Sequence, residues 1–396
     1  MVPALRFPGY YGLLNQASLG DICEYRNGES YEGHVVPNGR YYLITLNSVD
    51  IDGHIKNDHK KIDQADWCLS KNDLIMVLSD VAHGYFLGLV DIIPEDNKYV
   101  LNQRMGLLRR VDSQTNVVFL RMYINKHQHY FRLHGQGSSQ QNLSKGDIQK
   151  FPVYLPNITE QQKIAAFLST IDSWLENLHS QKTALEDYKR GMMQKIFSQE
   201  IRFKDEHGND YPEWEKRKIE SFGTIVTGTT PTTRNSKYYG GSIPWVTPSD
   251  IDGHKDVFIS NRTLTTDGLS RGRFITRNSL LITCIASIGK NAILRANGSC
   301  NQQINAITPN SSNSVDFLYY LFQQSKNTLI RYAGAGGLQI LNKKDFSSIK
   351  LCIPTLEEQV AIAKFLSTFD KSIEFRQTQI SLVEQWKRGL VQRMFV

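Results

Sequence analysis

Two stretches of the chain carry apolar side chains at alternating steps of four and three. The first has Ile164, Leu168, Ile171, Leu175, Leu178, Leu185, Met192 and Ile196, and the second Ile362, Leu366, Phe369, Ile373, Ile380, Val383, Leu390 and Met394. This spacing keeps one face of a helix apolar and forms a seam against a second helix. Pro156-Asn157 with Glu160, and Pro354-Thr355 with Glu358, stand at the heads of the two runs. Each reads as a capping box, in which a side chain serves orphan backbone donors and a carboxylate reaches back three residues later. A helix from Glu160 to Phe197 would be roughly 55–60 Å long at about 1.5 Å per residue. Lys182, Lys189, Arg376 and Lys387 interrupt the seams. Either their charges lie over the seam edge in water, or they fix the register between two helices.

The two runs are copies. Leu143–Ser198 aligns without gaps on Leu341–Val396, an offset of 198 residues in a chain of 396. Glu160-Gln161 matches Glu358-Gln359, Phe167-Leu168-Ser169-Thr170 matches Phe365-Leu366-Ser367-Thr368, and Lys189-Arg190-Gly191 matches Lys387-Arg388-Gly389. Weaker echoes are Leu5-Arg6-Phe7 with Ile201-Arg202-Phe203, and Asp50-Ile51-Asp52-Gly53-His54 with Asp250-Ile251-Asp252-Gly253-His254. Each half is thus a variable globular part followed by a well-matched tail. Two copies make a pseudo-dimer in one chain, not a solenoid. A whole globular part lies between the tails, so the chain can pair them antiparallel, with one globular part at each end of the rod.

The globular parts show strand-length apolar runs at Tyr41–Leu46, Leu74–Leu78, Tyr85–Ile93, Val117–Tyr123, Ile219–Val226, Phe274–Ile285 and Asn291–Leu294. Asn-Gly, Asp-Gly and Gly-Gly turn signals separate them. Short helices are expected near Asp112–Lys126 and Val315–Gln324. The fold class is α+β: a first globular part over 1–155, a long helix over 156–198, a polar linker over 199–216, a second globular part over 217–353 and a second long helix over 354–396.

Charge adds a partner class. The chain has 46 Lys and Arg against 39 Asp and Glu, a net charge of +7. The excess is local: residues 101–150 hold eight basic against two acidic side chains, and 216–350 hold seventeen against seven, whereas 51–100 hold five against nine. Such basic regions suit a polyanion. The candidate DNA-contacting set is Arg104, Arg109, Arg110, Arg121 and Arg132 in the first part, with Arg234, Lys237, Arg271, Arg273, Lys290 and Arg331 in the second. Gln136, Gln140, Gln141, Asn142, Asn301, Gln302, Gln303 and Gln339 lie in the same regions. Asn and Gln can read adenine bidentately, and Arg can read guanine.

Motifs for chemistry are absent. Five scattered cysteines without C-x-x-C spacing point away from a disulfide framework or zinc ribbon and toward a reducing compartment. Gly289-Lys290 lacks the upstream glycine of a P-loop, and neither Gly135-x-Gly137 nor Gly334-Ala335-Gly336-Gly337 has the context of a dinucleotide fingerprint. Asp58-His59-Lys60 and Asp96-Asn97-Lys98 have a nuclease-like D-x-K spacing that arises readily by chance, and His54 and His254 sit in repeated Asp-Gly-His turns. No metal site is expected. The polar N-terminal residues and the short run Leu280–Ala286 suggest a soluble, cytoplasmic protein.

The chain resembles the specificity subunit of type I restriction–modification systems over essentially its whole length. The resemblance is carried by Leu155-Pro156…Glu160-Gln161-x-Lys163-Ile164-Ala165…Phe167-Leu168…Asp172 and its copy Ile353-Pro354…Glu358-Gln359…Ile362-Ala363…Phe365-Leu366…Asp370. Ile201-Arg202-Phe203 leading to Tyr211-Pro212-Glu213-Trp214, Gly228-Thr229-Thr230-Pro231 and Ile243-Pro244-Trp245 add to it. It implies two target recognition domains separated by two long helices that pair as an antiparallel coiled coil. Each domain would read one half of a bipartite double-stranded DNA target, and the helices would set the spacer. It further implies two modification subunits, which bind S-adenosylmethionine and methylate adenine, and restriction subunits that use ATP and magnesium. No cofactor and no catalysis would belong to this chain itself. The first globular part lacks the Gly-Thr-Thr-Pro and Ile-Pro-Trp features, so the two half-targets should differ. A self-sufficient methyltransferase or nuclease would need a cofactor motif. A coiled-coil scaffold without DNA specificity would leave the basic globular parts unexplained.

Overall fold

The computed structural model describes residues 2–81, 85–333 and 339–396. The glycine run Gly334-Ala335-Gly336-Gly337 lies outside the described residues. The chain forms two compact units, Met1–His179 with Thr378–Val396, and Ser180–Gln377. Each contains one globular part and a segment of both long helices, so the boundary between units cuts the helices and not the polar linker.

The long helices span Ile158–Phe197 and Leu356–Met394. In the first unit Ile164, Leu168, Ile171 and Leu178 are buried in one cluster with Ile380, Val383 and Met394, while Leu175 and Leu390 flank it half-buried. In the second unit Ile196 shares a cluster with Ile362 and Leu366, while Leu185, Phe369 and Ile373 are half-buried. The segments run antiparallel in each unit: Asp172 meets Lys387 and His179 approaches Glu384 in one, and Lys189 meets Asp370 in the other. Near the end of the first helix the buried methionine is Met193, not Met192. A straight helix drifts about 20° per heptad against a 3.5-residue repeat, which shifts the core onto the next position.

The interrupting lysines divide. Lys189 Nζ lies 2.5 Å from Asp370 Oδ1, and Lys387 is paired with Asp172. The offset of 198 carries one pair onto the other, so these two lysines fix register between helices. Lys182 pairs with Glu186 one turn along its own helix at 3.4 Å.

The capping boxes form only in part. Asn157 Oδ1 accepts the Glu160 N–H at 2.9 Å, but the Glu160 carboxylate does not reach back. It accepts from Arg6 Nε and Nη2 at 2.9 and 2.5 Å. Glu358 likewise accepts from Arg202 Nη2 at 2.9 Å and Trp214 Nε1 at 3.1 Å. The Thr355 hydroxyl is buried without a hydrogen-bond partner. A carboxylate with about 1% exposure needs a cation, and the guanidinium outcompetes a neutral backbone donor. Gln161 and Gln359 beside them are buried too. Their amide oxygens accept from Asn116 N and Ser314 N, each at a distance between 2.8 and 2.9 Å, and their nitrogens donate to Pro156 O and Pro354 O. The repeated Arg-Phe and Glu-Gln pairs are therefore one clamp, built twice. It ties the strap before each globular part to the head of a long helix.

Each globular part holds two larger sheets besides two-stranded pairs. In the first, an antiparallel sheet orders Cys23–Asn27, Met105–Arg110, Leu74–Val77 and Val90–Ile92, and a second orders Val35–Val36, Lys60–Ile62, Tyr41–Ile44 and Tyr99–Leu101. In the second, five strands run Gly223–Thr227, Ile304–Pro309, Ser279–Thr283, Asn291–Leu294 and Asp256–Val257, beside three, Thr263–Leu264, Tyr239–Val246 and Ser299–Cys300. The apolar run Val117–Tyr123 is helix, within Val117–Lys126, because Asn116 caps it by accepting from Phe119 N at 2.9 Å. Its copy is Val315–Gln324, capped by Ser314. Of the run Tyr85–Ile93, only Val90–Ile92 is strand.

Candidate nucleic-acid interface

A tight turn sits at the same place in both units. In the first it is Asn102-Gln103-Arg104-Met105, closed by Met105 N donating to Asn102 O at 2.9 Å. In the second it is Asn301-Gln302-Gln303-Ile304, closed by Ile304 N donating to Asn301 O at 3.2 Å. The surrounding backbone bonds correspond one for one. Asn102 N donates to Ile44 O and Asn301 N to Val246 O, both at 2.9 Å. Gly28 N donates to Met105 O at 2.8 Å, and Gly228 N to Ile304 O at 2.9 Å. Leu78 N donates to Arg104 O at 3.0 Å, and Cys284 N to Gln303 O at 2.7 Å.

The glycines are sterically required. A Cβ on Gly28 would stand 2.1 Å from Asn102 O, and one on Gly228 would stand 2.1 Å from Asn301 O. The loop can approach the turn only where no side chain intervenes. We expect Gly228→Ala to push the turn off its strand. The Thr229 N to Cys300 O bond, 2.8 Å long, should lose amide exchange protection while the long helices keep theirs. Unchanged protection would show that the approach is not needed.

The polar surface continues from the turn. Leu143 N donates to Leu78 O at 2.9 Å, and Gln140–Asn142 pairs antiparallel with Ser79–Val81. In the second unit Leu341 N donates to Cys284 O at 2.8 Å and Ala286 N to Gln339 O at 3.1 Å. The structure thus joins Arg104 with Gln136, Gln140, Gln141 and Asn142, and joins Asn301, Gln302 and Gln303 with Gln339.

What borders the turn differs between the units. In the second, Trp245 Nε1 donates to Thr229 O at 3.0 Å and the Tyr239 hydroxyl donates to Pro231 O at 2.6 Å. Arg262 lies over both rings, 4.6 Å from Tyr239 and 5.0 Å from Trp245. This uses the Gly-Thr-Thr-Pro and Ile-Pro-Trp segments, and Arg262 is a cation that the charge count alone did not single out. In the first unit the loop after Gly28 is acidic. Glu29 accepts from Trp67 Nε1 at 2.7 Å, from the Tyr31 hydroxyl and from Arg26, and these bonds hold its carboxyl below the usual range.

The candidate cations fall into two groups. Arg104 is in the turn itself. Arg273 Nη1 donates to Thr227 O at 2.8 Å, next to Gly228. Lys290 is exposed beside Thr283 at the same sheet end, and Arg234 and Lys237 are exposed on the segment after Pro231. Arg271 caps the helix Thr266–Ser270. Arg132 lies 5.0 Å over the Tyr85 ring, and Arg331 is exposed on the helix Lys326–Tyr332.

Arg109, Arg110 and Arg121 lie away from this turn. Arg109 and Arg110 sit at the far end of the strand that begins at Met105, roughly 13 Å away at about 3.3 Å per residue. Arg109 binds Asp73 at 2.6 Å and Arg110 donates to Thr115 O at 2.7 Å. Arg121 pairs with Asp91 at 2.9 Å and approaches Asp172 at 4.0 Å. Each makes an internal bond, though Arg110 stays exposed and Arg109 partly so.

Among the described residues no group of three or more His, Cys, Asp or Glu side chains is placed to hold a metal ion. His54 and His254 are exposed, and their backbone N–H groups donate to Asp50 and Asp252. Burial pushes the Cys284 and Cys300 thiols up to about 12, so both are inert core side chains. Among the described residues no helix is long and apolar enough to cross a membrane.

Each α+β unit thus carries the same polar turn, with unlike side chains around it. The comparisons agree. The model of the type I restriction modification DNA specificity domain matches the chain twice, over residues 15–187 and 211–385, and the chain belongs to this family. It is 30% identical over 209 residues to the type I restriction enzyme MjaIX specificity subunit of Methanocaldococcus jannaschii, covering 50% of this chain and 48% of that one. It is 22% identical over 406 residues to the MjaVIII specificity subunit of the same organism, covering 94% and 90%. The fold is shared with the crystallised type I S subunit from M. genitalium, with TM-score 0.65, 16% identity and coverage of 100% and 99%. The chain is thus a DNA-recognition subunit of the type I restriction–modification class, a class in which the subunit itself is non-catalytic.

Proposed function

We propose that each unit reads one half of a bipartite, asymmetric double-stranded DNA target, and that the chain recruits two modification subunits and the restriction subunits to it. S-adenosylmethionine, ATP and magnesium would then serve those partners in the cytoplasm, and none is held by this chain. The observation that carries this reading is the turn: one backbone frame built twice, bordered by unlike side chains. A shared frame supports the same task in both units, and unlike borders support different base sequences. Neither a self-sufficient methyltransferase nor a scaffold without specificity accounts for that pairing.

Salt dependence of DNA binding by the complex with its modification subunit tests the reading. Neutralising Arg234, Lys237, Arg271 and Arg273 together should lower the slope of log affinity against log salt by about one unit for each phosphate interaction removed. Neutralising Arg109, Arg110 and Arg121 should leave that slope unchanged. Equal slopes for the first variant and the wild type would move the DNA face elsewhere.

A further inference from the structure

The side chains bordering the two turns differ, yet both turns present glutamine at the second position, Gln103 and Gln302. Both glutamines are exposed, whereas Asn102 and Asn301 before them are buried. The asparagines are used internally: Asn102 Nδ2 donates to Glu32 Oε1 at 2.8 Å, and Asn301 Nδ2 donates to Gln303 Oε1 at 2.9 Å. They shape the turn, and the glutamine is the side chain it offers outward. Next to it stand Arg104 in one unit and Gln303 in the other. Across the glycine approach stand Glu29 and Thr229.

We propose that Gln103 and Gln302 read the feature the two half-targets have in common, an adenine at the position facing each turn, while the unlike neighbours read what differs. This rests on the DNA-recognition reading above and names the residues that carry part of it. A glutamine amide has one carbonyl acceptor and two N–H donors. Adenine presents N7 as acceptor and its N6 amino group as donor in the major groove, the complementary pair. In the second unit the amide is held in advance, because the Thr230 hydroxyl donates to Gln302 Oε1. A carbonyl oxygen keeps a second lone pair for the adenine amino group. The matched backbone bonds place both residues equivalently against their strands, so the two turns offer a glutamine from the same position.

The test is selection from a randomised duplex library by the full chain co-purified with its modification subunit, followed by competition with every single-base change. Wild type should select a bipartite motif with one adenine at the corresponding place in each half. Gln302→Ala should lose discrimination at that position in one half by roughly 5- to 150-fold, with other positions unaffected, and Gln103→Ala should do the same in the other half. Gln302→Glu and Gln103→Glu keep the size of the side chain, so folding is not at issue. A carboxylate accepts from the cytosine amino group, so preference should move from adenine toward cytosine at that position. An unchanged base profile overturns the proposal, and so does uniform weakening at all positions, which would make the glutamines phosphate contacts. If the wild-type complex selects no motif, DNA recognition itself fails and the proposal falls with it. A clear wild-type motif that the variants leave intact refutes only the glutamines.

Discussion

Replacing Glu358 by alanine should destabilise the second unit by about 3 kcal/mol, at the low end for breaking a buried pair. The carboxylate is 1% exposed and the Arg202 side chain 19%, so the cation keeps some access to water once Glu358 is gone. Arg202 also donates to Tyr211 O at 3.1 Å and Pro212 O at 2.6 Å. Losing Glu358 leaves Arg202 only the exposed Glu213, at 3.2 Å, and so loosens the strap that leads into the globular part. Glu358→Gln keeps an acceptor for Arg202 and should cost less. Glu160→Ala should act in the same way on the first unit, through Arg6. Differential scanning calorimetry of the three variants decides the matter. A Glu358→Ala midpoint equal to wild type would show that the clamp is dispensable.

A half-chain of residues 1–198 should form a symmetric dimer and change the target from asymmetric to an inverted repeat. In the intact chain Asp172 pairs with Lys387, and Lys189 pairs with Asp370. Lys387 is the copy of Lys189, and Asp370 is the copy of Asp172. The pairing is thus self-complementary, which is what closed two-fold association of identical chains requires. Two half-chains can form both ion pairs by using Asp172 and Lys189 of each. The buried seam residues Ile164, Leu168, Ile171 and Leu178 should drive that association, since a lone half leaves them facing water. Expressing 1–198 with the modification subunit and mapping methylated sites across a genome checks this. Two copies of one half-site in inverted order is the expected result. Retention of the asymmetric full-length target would refute it. Replacing Lys189 by Glu in the half-chain should then block assembly by setting like charges against Asp172.

Periodicity and repetition are properties of the chain alone. The steps of four and three marked the long helices, because side chains on one helical face recur at that spacing whatever surrounds them. The gapless offset of 198 marked the duplication and held the paired Glu-Gln segments, while the Arg-Phe echo lay outside it at an offset of 196. Helix type at Val117–Lys126 was ambiguous for a different reason. A short apolar run suits a buried strand or a helix equally, and the Asn116 cap settles it.

The recognition surface was legible only in part. Counting charges found basic regions but could not see which guanidinium groups bind internal acceptors, because those of Arg109, Arg110 and Arg121 are 36, 5 and 30 residues away in sequence. Asn301, Gln302 and Gln303 stood out as a polar cluster, while Gln103, alone between Asn102 and Arg104, did not. Its equivalence to Gln302 rests on backbone bonds to Ile44, Leu78 and Gly28, from three separate strand ends. The chain by itself determined what is local and periodic: two copies, two amphipathic helices and an absence of cofactor motifs. Only tertiary structure decided that Glu160 and Glu358 bind arginines and not their own helix ends, and that scattered glutamines share one edge of each unit. Burial and long-range hydrogen bonding make those choices, and neither leaves a spacing in the sequence to be read.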